Sequence, residues 1–501
     1  MNIKKSFFTI SFITFFTRVL GGIRDIVSIN YIGISSDTDS FLVARRLQSL
    51  FVRIFGEGAM QNAITPYIID YEKHGKLNAC KRFVSRILTV VLLVTFAIAV
   101  LVNVYSYEFI AFVAPGFKCN SEYISKTIRY LHVINPSIVL VAVSSVYFCV
   151  TSARQKFTLI SLYGMISNIV LMFFIMIGRC TFALAIGHLI VCFIQYAYCY
   201  SCARYYGCTM PTVVMPTVSM YMRRMLKKIL PSIIGTSIIQ FDVFVSTIFA
   251  SYLPEKSITY VGYCDQIVQV PISMIGTALA TILLPHVAAI YTSSSYEDKS
   301  KFDATSVLNF ALILSLPIMI MFCFFSYTII EFIGSGSGKI THDDILKTAQ
   351  ILSIASIMIP LGVVSKIMAS ISLAQKKTFI PMIASILTVI SNISVCLWCI
   401  KYDIFSVYVS MIAFVVSMVF NVGTYLYFQR KLLSGFMSTF RILISAFVMF
   451  FVMWLFLWDK MWTGSIVRAI LFGSLGLIVY LCCLIATGDI KINNIVKYFT
   501  K

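Results

Sequence analysis

Apolar runs of roughly 20 residues, the length a helix needs to cross a bilayer, recur from one end of this chain to the other with short polar loops between them. In hydrocarbon each backbone N–H and C=O must find a partner inside its own segment, so such runs fold as helices. The alternating pattern of a membrane barrel, about ten residues per strand, is not seen. Composition agrees: 59% of the residues are apolar and 12% charged, against roughly 45–50% and about 25% in soluble domains. The chain is read as an all-α, polytopic membrane protein.

Fourteen helices are predicted, near 6–33, 38–69, 83–105, 128–151, 157–178, 181–203, 226–252, 259–290, 306–330, 348–373, 379–400, 404–428, 437–458 and 465–487. The opening Lys4-Lys5 and its apolar run imitate a signal peptide, but no small-residue cleavage site follows, and Arg18 and Arg24 interrupt the sequence beyond. An uncleaved first helix is expected. With the N-terminus in the cytoplasm, one side gathers most of the loop cations, among them Lys73, Lys76, Lys81, Arg82, Arg223, Arg224, Lys227 and Lys228. The other side holds few, such as Lys118, Lys126, Arg179 and Lys256. This asymmetry places both termini in the cytoplasm and explains most of the net charge of +20 without nucleic acid. The 14 cysteines are scattered mostly through apolar segments. The CxxC pairs Cys199/Cys202 and Cys396/Cys399 lack companion ligands and read as small buried hydrophobes.

The two halves echo each other. Pro136 followed by Ser167-Asn168-Ile169 recurs, at one common spacing, as Pro360 followed by Ser391-Asn392-Ile393. The short basic loops Ala153-Arg154-Gln155-Lys156 and Ala374-Gln375-Lys376-Lys377 lie between. A duplication predicts an N-terminal six-helix lobe over 1–215, a C-terminal six-helix lobe over 216–432, and two further helices with a cytoplasmic tail over 433–501. Parallel repeats of this kind put a substrate site between lobes that rock in alternating access.

Against this apolar background, residues 18–57 carry Arg18, Arg24, Asp25, Asp39, Arg45, Arg46, Arg53 and Glu57. A charge at the bilayer centre costs about 2.5–3.5 kcal/mol on the insertion scale, so such groups face a polar interior, pair, or meet a charged substrate. Asp39, Arg46 and Arg53 repeat every seven residues and nearly align on one helical stripe. Glu57 follows Arg53 by one turn, close enough to pair with it. Arg18 and Asp25 share a face, from which Arg24 points away. Five arginines against three carboxylates leave positive charge over, and the arginine fork suits phosphate or carboxylate. In the second half Lys366 sits mid-helix, with Asp242 and Asp265 as candidate counter-charges. His132, His188 and His286 are given no role. No catalytic, metal or phosphate-loop signature is present, so a non-enzymatic membrane protein that handles an anion is expected.

The same residues carry a family resemblance. Thr17-Arg18-Val19-Leu20-Gly21 with Arg24-Asp25, Thr38-Asp39-Ser40-Phe41, and Arg53-Ile54-Phe55-Gly56-Glu57-Gly58-Ala59 with Pro66 resemble the MurJ (MviN) lipid II flippases. These belong to the multidrug/oligosaccharidyl-lipid/polysaccharide exporter superfamily. Ala114-Pro115-Gly116-Phe117, Tyr263-Cys264-Asp265 with Pro271, Thr281-Ile282-Leu283-Leu284-Pro285 and Val364-Ser365-Lys366 extend the resemblance over the whole chain. It implies two six-helix lobes around a cationic cavity, plus two helices that shape a groove for the lipid tail. The implied function is transfer of undecaprenyl-diphosphate-linked disaccharide-pentapeptide from the cytoplasmic to the periplasmic leaflet of the inner membrane. Arg18, Arg24, Asp39, Arg53, Glu57 and Lys366 fall on matching positions, and Arg46 joins them as a substrate-binding candidate on its stripe geometry.

Three departures stand out. Val52 replaces one of two arginines, Gln266 stands where the family has a cavity arginine, and Arg45 and Arg46 add charge where the family usually has less. Arg45 or Arg46 is expected to compensate. Some relatives bind sodium through helices seven and eleven; here Ser246 takes the matching helix-seven position, which gives sodium coupling no support. No cofactor is expected, with membrane potential or an ion gradient as the energy source. Lipid II and membrane lipids are the expected partners, with other cell-wall synthesis proteins as further candidates and no nucleic acid. The nearest competing reading is a flippase for another polyprenyl-diphosphate glycan, such as an O-antigen unit. A drug/cation antiporter should carry acidic rather than arginine-rich spans.

Overall fold

A computed structural model describes residues 3–56, 59–154, 157–205, 212, 214–215, 244–280, 283, 287, 304–336, 338–375, 377–404, 406–430, 436–457 and 466–487. Among these the regular structure is helical throughout. Among the described residues eight helices are long and apolar enough to cross a membrane, or nine if one bent pair counts as a single span. The described residues fall into two compact units that divide between Gly262 and Tyr263.

The first unit opens with α1 (Ile3–Ile32), α2 (Ser36–Gly56) and α3 (Ala59–Lys73). It continues through α4 (Leu77–Val104), the short α5 (Ser106–Val113), a 3-10 turn at Pro115–Cys119, α6 (Ser121–Ile134), α7 (Ser137–Ala153), α8 (Phe157–Gly178) and α9 (Thr181–Tyr205). A helical stretch over 244–251 follows, then the start of α10 (Ser257–Pro271), which runs on into a π turn at Ile272–Gly276. The second unit holds α11 (Ala304–Phe324), α12 (Ser326–Gly334), α13 (His342–Ala355), α14 (Met358–Ala374), α15 (Phe379–Lys401) and α16 (Val407–Gln429). The last two helices, α17 (Phe436–Leu457) and α18 (Ile466–Ala486), pack on α11 through Leu316, Ile320, Phe324, Ile442, Met449 and Tyr480.

Helix interruptions recur in the two units. A long helix breaks at one residue into a short one, Tyr105 between α4 and α5 and Phe325 between α11 and α12. The next span also breaks, at Asn135–Pro136 and at Ser356–Ile357, the latter with a bend of 42°. The predicted spans 128–151, 306–330 and 348–373 are therefore each two helices. Hydropathy runs smoothly through such breaks, because the residues on both sides stay apolar. Proline supplies the cause: Pro136 caps α7 and Pro360 lies in the first turn of α14, where a missing N–H leaves no gap in the ladder. At the first break Asn135 donates to the Ala99 carbonyl at 2.7 Å, so the neighbouring helix meets one of the polar groups.

The predicted helix near 226–252 lies outside the described residues up to 243, and with it Asp242. Residues 38–69 form two helices, α2 and α3, rather than one.

Candidate functional site

The arginines of the first unit are not equivalent. Arg24 is held in place: its Nε and Nη2 donate to one oxygen of Asp25, at 3.1 and 2.6 Å, and its Nη1 donates to Asn168 Oδ1 at 2.9 Å. Asn168 in turn donates to the Thr17 carbonyl at 3.1 Å, so the α8 asparagine grips α1 at two points. Close helix packing allows this. Gly164, one turn before Asn168, faces Thr17, whose methyl would lie 2.6 Å from an added Cβ. A guanidinium carries five N–H donors, and these contacts leave two of Arg24's unengaged. Arg18 and Asp25 share a helical face by spacing, but it is Arg24 that folds back onto the neighbouring carboxylate. Arg18 is exposed.

Asp39 has a different task. It is 2% exposed, and its carboxylate accepts from Lys256 N at 2.7 Å, Thr259 N at 2.7 Å and Thr259 Oγ1 at 2.5 Å. These donors belong to the start of α10, where backbone N–H groups have no partner within the helix and the dipole favours an anion. Asp39 thus anchors a helix end, and its oxygens are already engaged. Nearby, Gly116 N donates to Ser251 Oγ at 3.0 Å, and a side chain at Gly116 would overlap the Ser251 carbonyl. The entry to α2 is tied down as well: Lys126 pairs with Asp37 and with Glu122, each at 2.8 Å.

Arg46 donates to Thr247 Oγ1, and its Nη2 lies 3.8 Å from where a Cβ at Gly262 would stand. Arg45 is half-buried, in the electrostatic neighbourhood of Arg24, Asp25 and Arg46, and His188 of α9 lies within reach of the charges on Arg45 and Arg24. Asp39 being taken up by α10, the described side chains set Arg18, Arg24, Arg45 and Arg46 against Asp25. Arg53 belongs to α2, but its side chain lies outside the described residues, as does Glu57.

In the second unit Lys366 is half-buried on α14, with its aliphatic stem over the π turn; a Cβ at Gly276 would stand 3.1 Å from its Cδ. Gly362, one turn earlier, faces Ile272 of the same turn. Two glycines and a π turn let α14 approach closely here, and π turns often accompany functional positions. Neutral polar bonds follow: Ser365 donates to Asn421 at 2.6 Å and Asn421 to Thr388 at 2.8 Å. Gln266 and Asp265 are both half-buried on α10. Among the described residues no group of His, Cys, Asp and Glu could hold a metal ion.

Sequence reasoning missed the contacts made by Asn168, Thr259 and Gly116. The repeated Ser-Asn-Ile motif did mark Asn168, though not what it would touch.

The family model for lipid II flippase MurJ matches residues 29–480. A probable lipid II flippase MurJ of Buchnera aphidicola subsp. Schizaphis graminum is 27% identical over the full length of both chains. Its counterpart in Buchnera aphidicola subsp. Acyrthosiphon pisum is 28% identical over 78% of this chain and 77% of its own. Among solved structures, a lipid II flippase MurJ in an inward closed conformation superposes with a TM-score of 0.80, covering 96% of this chain and 99% of that one at 22% identity. An inward-facing MATE-family multidrug transporter of the MOP superfamily gives 0.64, over 83% of this chain and 94% of that one, at 13% identity. These last two show the fold.

Proposed function

The chain belongs to the lipid II flippase MurJ family, and from that premise we propose that it carries lipid II from the cytoplasmic to the periplasmic leaflet of a bacterial inner membrane, with both termini in the cytoplasm. It acts by transport and not by catalysis.

The observation that carries the reading is Arg24, held by Asp25 and Asn168 inside an arginine excess. A diphosphate offers several oxygens to planar guanidinium forks, and charge-assisted bonds of this type are roughly twice as strong as neutral ones. The site is prepared in advance, since Arg24 is already oriented when the ligand arrives. Asp25 makes the binding reversible. It keeps Arg24 paired in the empty state, so no buried cation is left alone, while the two N–H groups these contacts leave over are the ones that meet the diphosphate. Arg18, Arg45 and Arg46 add charge around this centre, with Arg45 or Arg46 standing in for the charges absent at Val52 and Gln266.

Asp39 positions α10 instead of contacting the diphosphate. Arg53, Glu57 and Lys366 remain members of the binding set, Lys366 from the second unit. Alternating access of the two six-helix lobes, 1–215 and 216–432, exposes the head group on each side in turn while the tail stays in lipid. The membrane potential favours return of the empty, positively charged site, since one elementary charge gains about 2.3 kcal/mol per 100 mV.

The test is depletion of a host's own flippase, expression of this chain, and measurement of lipid II accessible at the periplasmic face. Restored accessibility is expected. Correct insertion without restoration would point to another polyprenyl-diphosphate glycan.

A further inference from the structure

Arg24 and Asn168 make up one side of a polar space inside the first unit, and the other side holds donors with nothing to bond. Arg45 of α2 and His188 of α9 are both half-buried. Among the described residues neither makes a hydrogen bond or an ion pair. His188 lies within reach of the charges on Arg45 and Arg24, and Arg45 within reach of Arg24.

The helices that carry them are fixed at this level. Gln48, three residues along α2 from Arg45, donates to Ser137 Oγ at 2.7 Å, where α7 begins. Cys192, one turn along α9 from His188, lies by Ser137 and within reach of Arg45. Gly187 lets α9 seat closely on α8, since an added Cβ would stand 2.8 Å from Phe174 Cβ. A guanidinium with five N–H donors and an imidazole are thus presented to one space. A guanidinium taken out of water without an acceptor is unfavourable, and an anion relieves that cost.

We propose that Arg45 and His188 bind the second phosphate of a lipid-linked diphosphate whose first phosphate is held by Arg24, and that this pair makes the site prefer a diphosphate to a monophosphate. The inference rests on the lipid II reading above and names the part of the site that recognises the head group. The two phosphates share a bridging oxygen, so donors for the second must stand beside those for the first. The two N–H groups left over on Arg24 serve one phosphate. Arg45 offers a planar fork to the next, and the imidazole has an N–H to donate in either protonation state. A monophosphate held by Arg24 leaves Arg45 and His188 as unused as in the empty site. Discrimination therefore comes from bonds that only the second phosphate makes.

The test is native mass spectrometry of the purified full chain in nanodiscs, loaded with undecaprenyl diphosphate or undecaprenyl monophosphate. The unsubstituted chain should retain the diphosphate about tenfold better. Arg45→Gln and His188→Leu should each lower diphosphate retention by about threefold to tenfold and leave the monophosphate unchanged. His188→Gln, which keeps an N–H donor, should recover most of the loss. Arg24→Ala should lower both lipids. Helicity and thermal unfolding confirm that each variant folds. A diphosphate preference unchanged in Arg45→Gln or in His188→Leu would overturn the inference, and if Arg24→Ala still lost the lipid the lipid II reading would stand. Equal loss of both lipids in the His188 variants would make the effect structural and overturn it as well. Inorganic phosphate bound through Arg45, with diphosphate retention indifferent to Arg45→Gln, would assign the pocket to a free ion and overturn it. Failure of the unsubstituted chain to retain either lipid would overturn both readings.

Discussion

Asn168 and Asn392 hold the same place in the two Ser-Asn-Ile motifs, and they serve different ends. Asn168 stands between a carbonyl of α1 and the guanidinium of Arg24. Asn392 is fully buried, and its side-chain oxygen accepts from Cys396 Sγ at 3.4 Å. Around Asn168 the neighbours are charged. Near Asn392, on the same and adjoining helices, a run of neutral bonds joins Ser365, Asn421 and Thr388. One skeleton thus supports a charged centre in the first unit and a polar brace in the second. The two copies of the motif share helix breaks and an asparagine, while the charge lies on α1 and α2, outside the repeated motif.

Substitutions can break that comparison, and the largest effect belongs to the charge itself. Arg24→Ala should abolish rescue of flippase-depleted cells, and Arg24→Lys should restore little of it, because an ammonium keeps the charge and loses the planar fork. Growth and periplasmic lipid II, at matched membrane levels, would show whether charge alone is enough. The double variant Arg45→Ala, Arg46→Ala comes next, with strong loss expected; full activity would remove both from the site.

The paired asparagines separate function from stability. Asn168→Ala should lower transport by about tenfold or more, since bonds to charged groups contribute roughly 1.5–3 kcal/mol, with a modest change in unfolding. Asn392→Ala should instead reduce stability, by about 1–3 kcal/mol for polar groups left unpaired in the core, while the folded fraction still transports. Equal behaviour of the two would erase the distinction drawn here. Thr388→Val gives the smallest effect, about 1 kcal/mol in unfolding from the loss of its bond to Asn421.

The helices were legible because apolar runs of spanning length leave the backbone few choices. Their interruptions were only half legible. The predicted third span ends at Tyr105, where Asn103, Ser106 and Glu108 interrupt the apolar run, but the breaks at Asn135–Pro136, Phe325 and Ser356–Ile357 fall inside spans read as continuous. At the site, heptad spacing put Asp39, Arg46 and Arg53 on one stripe, yet Asp39 is claimed by Lys256 and Thr259, far along the chain. No local pattern encodes a partner at that distance. Arg24 was legible as a charge that had to be satisfied, whereas its hold by Asn168 needed the close approach of α1 and α8 that Gly164 permits.

Lipid II retention by the purified chain in nanodiscs, followed by native mass spectrometry, tests the central claim most directly. The unsubstituted chain and Asn392→Ala should both carry lipid II, and Arg24→Ala should lose it while remaining folded. Equal retention by Arg24→Ala would contradict the assignment of the arginine cluster as the diphosphate site.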